Sequence, residues 1–193
     1  EIARVRAAGH QVVLVSSGAV ASGLPALGLQ AQDRPSDPRT LQAISAIGQV
    51  RLMQSWNGHF AGHDLVAGQV LLAPTDFMVR SQYLHARSPL ERLLELSVVP
   101  IVNENDAVAD DEIRFGDNDR IASLVAHLVQ ADLLVLPTDA PGVMDADPRT
   151  VPGASLITEI VEIDHQLESV AGGAGSARGS GGMASKLAAA KMA

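Results

Sequence analysis

With 193 residues, 47% of them hydrophobic, the chain has enough apolar material for one well-packed domain. Its net charge of −8 and scattered basic residues argue against a nucleic-acid footprint, and no apolar run reaches the roughly 18 residues of a membrane span. The absence of cysteine rules out disulfides and thiolate chemistry within this stretch and is compatible with a reducing cytoplasm, the expected location.

The chain opens on EIARVRAAGH, which reads as the tail of an amphipathic helix. QVVLVSS follows as a buried strand, closed by a small-residue turn, SSGAVASG. Asp37 and Pro38 predict a helix start, Asp as N-cap and Pro in the first turn, with the helix running to about Phe60. LVAGQVLLA is the next expected strand. A helical stretch from Ser81 to Arg87 follows, and Ser88-Pro89 is expected to begin a separate helix, PLERLLEL. SVVPIV, Asn118 to Gln130, and DLLVLPT then read as strand, helix and strand. A loop-rich hairpin, DAPGVMDADPRTVPG, a weaker strand and a short helix come next. The glycine tract AGGAGSARGSGG leads into a last helix holding SKLAAAKMA.

Near-continuous apolar strands separated by helices indicate an α/β fold with a mainly parallel sheet covered on both faces. No linker divides the chain, so one domain over residues 1–193 is expected, apparently incomplete at both ends. In such sheets ligands gather beyond the carboxyl ends of the strands. Three unusual polar segments, SSGA, NEND and TDAPG, fall there.

Asn103 to Arg120, NENDAVADDEIRFGDNDR, is the densest of them, with 7 carboxylates and 3 side-chain amides counted over its 18 residues. Crowded like charges repel, so the cluster is either a solvated loop or a site for something bringing positive charge. In GDNDR, Asp117 is a natural helix cap and Asp119 complements the helix dipole. Capping does not account for Asn103, Glu104, Asn105 and Asp106 at the strand mouth, whereas Asp110, Asp111 and Glu112 read as a solvated surface. Ser16-Ser17-Gly18-Ala19 offers backbone N–H groups to an anion, or is an ordinary tight turn. GSGGMASK places Lys186, one of only two lysines among 14 basic residues, about one turn into the last helix. It is not a P-loop, which needs Gly directly before Lys. Although Gly179 to Ala184 fits G-x-G-x-x-A, a glycine-rich loop stands where the preceding strand should be. His59 and His63 lack a third ligand for zinc, and the Asp145/Asp147 pair lacks the rest of a calcium loop. No residue is therefore assigned to a metal.

Together VSSGAVASG, AIGQVRLMQSW, GQVLL, PIVNENDAVADDEIRFGDNDR, TDAPGVMDADPR and GSGGMASK resemble the amino-acid kinase family over nearly the whole chain. NENDAVA followed by GDND resembles the branch that phosphorylates L-glutamate. The resemblance implies a three-layer α/β/α sandwich and a cytoplasmic enzyme. It further implies transfer of the ATP γ-phosphoryl group to the glutamate side-chain carboxylate, with magnesium, as the first step of proline biosynthesis. By position, Ser17, Asp106 and Asn118 match glutamate-binding residues. Asp119 matches the residue orienting the catalytic lysines, and Lys186 the lysine facing the transferred phosphoryl group. Thr138 and Asp139 match nucleotide contacts, while Ser180, Gly181, Gly182, Met183, Ala184, Ser185 and Lys186 match the loop over the ATP phosphates.

A homo-oligomer and proline as feedback inhibitor are further implications of the resemblance. The family's usual TD-x-x-G-L-Y reads TDAPGVM here, with Val143 and Met144 as departures. An upstream strand ending in a Lys and a Gly-Ser/Thr turn, and further chain after Ala193, are expected to complete the site. Two rivals stand beside this reading. One is a sister kinase acting on N-acetylglutamate, aspartate, carbamate or UMP; the other is a non-catalytic relative that binds an amino acid or nucleotide and regulates another protein.

Overall fold

The computed structural model describes residues 1–108, 117–146, 150–165, 167–168 and 182–193. Its contacts divide the chain into two compact units, Glu1–Phe115 and Gly116–Ala193.

In the first unit β1 (Leu14–Val15), β2 (Ala67–Leu72) and β3 (Val99–Glu104) form a parallel sheet in the order β1-β3-β2. The middle strand is buried along its whole length. Val99, Ile101 and Val102 are essentially inaccessible, and each such side chain stabilises the fold by roughly 1.5–3 kcal/mol. Phe60 joins Val99 and Ile101 in a core that Leu14, Met53, Trp56 and Leu65 extend. The helices are α1 (Ile2–Ala7), α2 (Ala19–Gly23), α3 (Pro38–Ala61), α4 (Thr75–Met78) and α5 (Arg80–Glu95).

Helix α3 begins where Asp37-Pro38 predicts. The Asp37 carboxylate accepts from both the amide and the hydroxyl of Thr40, at 2.9 and 2.6 Å. Two expectations need correction in this unit. The strand over SVVPIV continues through Asn103 and Glu104, because these polar residues pair with Leu71 and Leu72 of β2. Ser88-Pro89 does not start a helix: Pro89 lies inside a continuous α5, held by the buried Ala86 and Leu90 on either side.

In the second unit α6 (Asn118–Val129) packs against α7 (Met183–Met192) through Ile121, Ala122, Val125, Leu128, Leu187 and Ala189, all buried. Among the described residues the hairpin after residue 138 shows one antiparallel bridge, Met144 to Leu156. DLLVLPT, expected as a strand, makes no ladder among the described residues. Its side chains still alternate, Leu134 and Leu136 half-buried, Leu133 and Val135 exposed, as along a strand. The Asp110 to Glu112 surface and most of the glycine tract lie outside the described residues.

Candidate active site

In the first unit the ends of β1 and β3 lie side by side. The Ser16 amide donates to the Val102 carbonyl at 2.8 Å, adding one more rung beyond the paired strands. Ser16 is buried, its hydroxyl donating to the Ser17 carbonyl at 3.1 Å and accepting from Trp56 Nε1 at 3.4 Å. Ser17, the next residue, is exposed. Gly18 then turns the chain into α2 with φ of 101°, a left-handed conformation that a side chain would strain.

On the neighbouring strand Asn103 and Glu104 are buried, and the Asn103 amide oxygen accepts from the Glu104 amide at 2.9 Å. The Asn105 amide closes on the Leu72 carbonyl at 2.8 Å. Asp106 follows, half-buried, with one carboxylate oxygen accepting from the Ser45 hydroxyl of α3 at 2.9 Å. Ser17 and Asp106 thus both stand just past the carboxyl ends of adjacent parallel strands, where α/β sheets take their ligands.

The second unit carries the other charged group. Asp117 caps α6 through its carboxylate, which accepts the Asp119 amide at 2.9 Å. Asp119 in turn accepts from Lys186 Nζ through both oxygens, at 3.0 and 3.1 Å. Both side chains are mostly shielded, 18% and 19% exposed, so little water screens the pair. Asn118 Oδ1 and Ser185 Oγ, each next in sequence to a member of the pair, are buried and have no hydrogen-bond partner among the described residues. An acceptor and a hydroxyl left so are costly, by about 1–3 kcal/mol each, unless a ligand or water completes them.

A cavity of about 630 Å³ opens beside this pair, within the usual range for a small-molecule site. Thr138, Val143, Met183, Lys186 and Lys191 are among its walls. The Thr138 hydroxyl accepts from the Ala140 amide at 3.2 Å, shaping the turn at the mouth. Lys191, the other lysine of the chain, lines the same cavity. Its ammonium is held by Glu168 at 2.6 Å, and this hydrogen bond keeps the Glu168 carboxyl below its ordinary range. Asp145 accepts from the Ser155 amide at 2.7 Å, which makes it part of the hairpin.

The model of the amino acid kinase family matches residues 1–193. The chain belongs to the amino acid kinase family. Among similar proteins, the glutamate 5-kinase of Pseudomonas savastanoi pv. phaseolicola (strain 1448A / Race 6) is 54% identical over 193 residues, all of this chain and 52% of the relative. The glutamate 5-kinase of Pseudomonas putida (strain W619) is 53% identical over the same length, 51% of the relative. That of Pseudomonas fluorescens (strain Pf0-1) is 55% identical over 186 residues, 96% of this chain and 50% of the relative. The chain therefore spans about half the length of the curated relatives it matches.

For this amino acid kinase chain the structure brings Asp119 and Lys186 together and sets Thr138, Met183 and Lys186 around one cavity. Gly182 caps α7, Ala184 and Ser185 sit in its first turn, and Asp139 is exposed beside Thr138. Ser180 and Gly181 fall outside the described residues. Sequence reasoning missed Ser45, which orients Asp106 from 61 positions away, and Ser123, which donates to α7. A serine inside a helical apolar pattern was the available signal, and it does not say which partner the hydroxyl meets.

Proposed function

We propose that the chain provides the acceptor site and the phosphoryl-transfer lysine of an ATP-dependent kinase that converts L-glutamate to L-glutamate 5-phosphate, the first step of proline biosynthesis. The observation carrying this reading is Lys186, locked bidentately by Asp119 on the wall of a nucleotide-sized cavity. The glutamate 5-kinase relatives add the substrate.

Phosphoryl transfer depends on positioning and on cations facing the charge of the moving group. A glutamate side-chain oxygen attacks the γ-phosphorus, a new O–P bond forms, and the bond to the β-phosphate oxygen breaks to release ADP. The attacking carboxylate is already ionised at neutral pH, so no general base is needed. Lys186 faces the transferred oxygens, and Asp119 holds the ammonium in place. In the first unit Asp106, held by Ser45, pairs with the substrate α-ammonium and Ser17 donates to the α-carboxylate, while Asn118 in the second unit offers its unpartnered Oδ1 to glutamate.

Among the described residues no group of three or more His, Asp or Glu side chains could hold a metal. Both Asp119 oxygens are engaged by Lys186. This donor set fits a magnesium ion carried mainly by ATP phosphates and water, the ion's usual habit in kinases. Such an ion supplies charge neutralisation on the phosphates when bound.

In this reading the enzyme works in the cytoplasm as a homo-oligomer with proline as feedback inhibitor. No helix among the described residues is long and apolar enough to cross a membrane. Incubating the full-length protein with ATP, magnesium and a panel of acids, with hydroxylamine to trap acyl phosphate, tests the reaction. The expected result is hydroxamate with L-glutamate and not with N-acetylglutamate or aspartate. Preference for another acceptor would identify a sister kinase. Nucleotide binding without turnover would identify a non-catalytic relative.

A further inference from the structure

We propose that Ser123 and His127 are positioning residues for Lys186, setting the axial register of α7 on α6. This rests on the reading of Lys186 as the cation that faces the transferred phosphoryl group.

Three links tie the two helices. Lys186 Nζ meets Asp119, the Ser123 hydroxyl donates to the Ala189 carbonyl at 2.6 Å, and His127 Nε2 meets the Met192 carbonyl at 2.7 Å. A carbonyl only accepts, so His127 carries its proton on Nε2. Asp119, Ser123 and His127 are four apart and lie on one stripe of α6, while Lys186, Ala189 and Met192 are three apart on α7. The order is the same along both helices, so the links form a continuous polar edge.

Apolar packing specifies this register weakly. Helix α7 reads MASKLAAAKM, and its buried side chains are Leu187 and Ala189. Alanine methyls make shallow ridges, so a slip along the axis changes little of the apolar contact. Each residue of slip is about 1.5 Å of travel. The ion pair alone resists it weakly, because the flexible lysine stem can keep contact with Asp119 over a short slip, but only with the ammonium displaced from its bidentate position.

The other two links end on backbone carbonyls and so report the position of the helix itself. Ser123 is completely buried, and its hydroxyl lies closer to Ala189 than to the Asp119 carbonyl of its own helix, 2.6 against 3.3 Å. Its hydrogen is therefore directed across the interface. A misplacement of about 1 Å can cost a transfer reaction up to a hundredfold in rate, which makes register a catalytic matter.

The test uses the full-length protein with Ser123→Ala, His127→Ala, both together, and His127→Gln, whose amide can donate to the same carbonyl. Both single alanine variants are expected to lower kcat several-fold and the double variant about tenfold or more, with KM for glutamate unchanged. His127→Gln is expected to restore most of the loss. In nitrogen-15 spectra the Lys186 ammonium signal, assigned by its loss in Lys186→Arg, is expected to shift and broaden in the double variant. That spectrum needs no turnover. A wild type lacking glutamate-dependent activity would therefore sink the kinase reading while the register proposal still stood or fell on the Lys186 signal. Unchanged kcat with an unchanged signal in the double variant would overturn the proposal. So would a loss of kcat that follows thermal stability and is not rescued by glutamine.

Discussion

Two helix pairs, one in each unit, hold their geometry by opposite means. Between α2 and α3 the backbones touch: a Cβ on Gly48 would lie 1.7 Å from the Ala19 carbonyl oxygen, and one on Gly23 would lie 2.1 Å from that of Ile44. Between α6 and α7 the gap is filled by side chains, and polar links to carbonyls mark the register. The first pair positions the turn at Ser17 by exclusion, with nothing to titrate and no room to adjust. The second positions Lys186 by directional bonds that can be removed one at a time. A substitution at the first contact should act on folding, and one at the second on rate.

The strongest way to break the comparison is at Gly48. Gly48→Ala drives a methyl into backbone that has nowhere to go, and should destabilise the first unit by about 3 kcal/mol or more, read as loss of a cooperative urea transition. Gly58 lies in the same helix with nothing within 4 Å of its would-be Cβ. Gly58→Ala should instead be neutral or stabilising by up to about 1 kcal/mol. Equal losses at both positions would show that the close contact at Gly48 does not decide the outcome.

On the other pair, Lys186→Ala should lower kcat by about 100-fold or more with little change in the glutamate KM, because a cation facing developing charge is lost while the acceptor site remains. Near-normal turnover would remove Lys186 from the transfer step. Asp106→Asn should raise the glutamate KM by roughly 10- to 100-fold and the ATP KM far less, as expected when a charge-assisted bond is lost. Ser45→Ala, which frees the Asp106 carboxylate to rotate, should do the same more weakly, by roughly 2- to 10-fold. A larger shift in the ATP constant would make the acidic cluster a nucleotide site.

The smallest effect belongs to the α3 cap. The bonds from Thr40 lower the folded-state pKa of Asp37 below its unfolded value. The cap's contribution is therefore full above the unfolded pKa, about 3.9, and is lost as pH falls through the lowered folded one. Asp37→Ala should lower the thermal midpoint slightly at neutral pH, and the difference from wild type should vanish in acid. A gap that persisted in acid would mean that the carboxylate's charge is not what caps the helix.

Legibility followed locality. Asp37-Pro38 and Asp117 announced their helices because a cap bonds within three residues of itself. The roles proposed for Asp119 and Lys186 came through motif resemblance, and the two lie 67 positions apart, a separation that no spacing rule reaches. Asn103 and Glu104 read as a strand mouth because polar side chains suggest a loop, yet the ladder to β2 concerns only their backbones. DLLVLPT failed in the opposite sense, since apolar composition describes a strand's faces and not the partner that completes its edge. Ser45 and Ser123 were hidden for a third reason: a small hydroxyl residue fits a helix as readily whether it donates across an interface or back to its own turn.

Pro89 sits inside α5 between two buried anchors, and it has no amide hydrogen to offer the His85 carbonyl. The helix is continuous in shape but interrupted in cooperativity. Residues from Leu90 onward are anchored by a fully buried leucine, while the turns before Pro89 lack that hydrogen bond to the half that follows. In hydrogen-exchange terms α5 should behave as two protection zones meeting at residue 89, with the stretch that begins at Arg80 opening first. A helix drawn as one rod would then unfold as two segments.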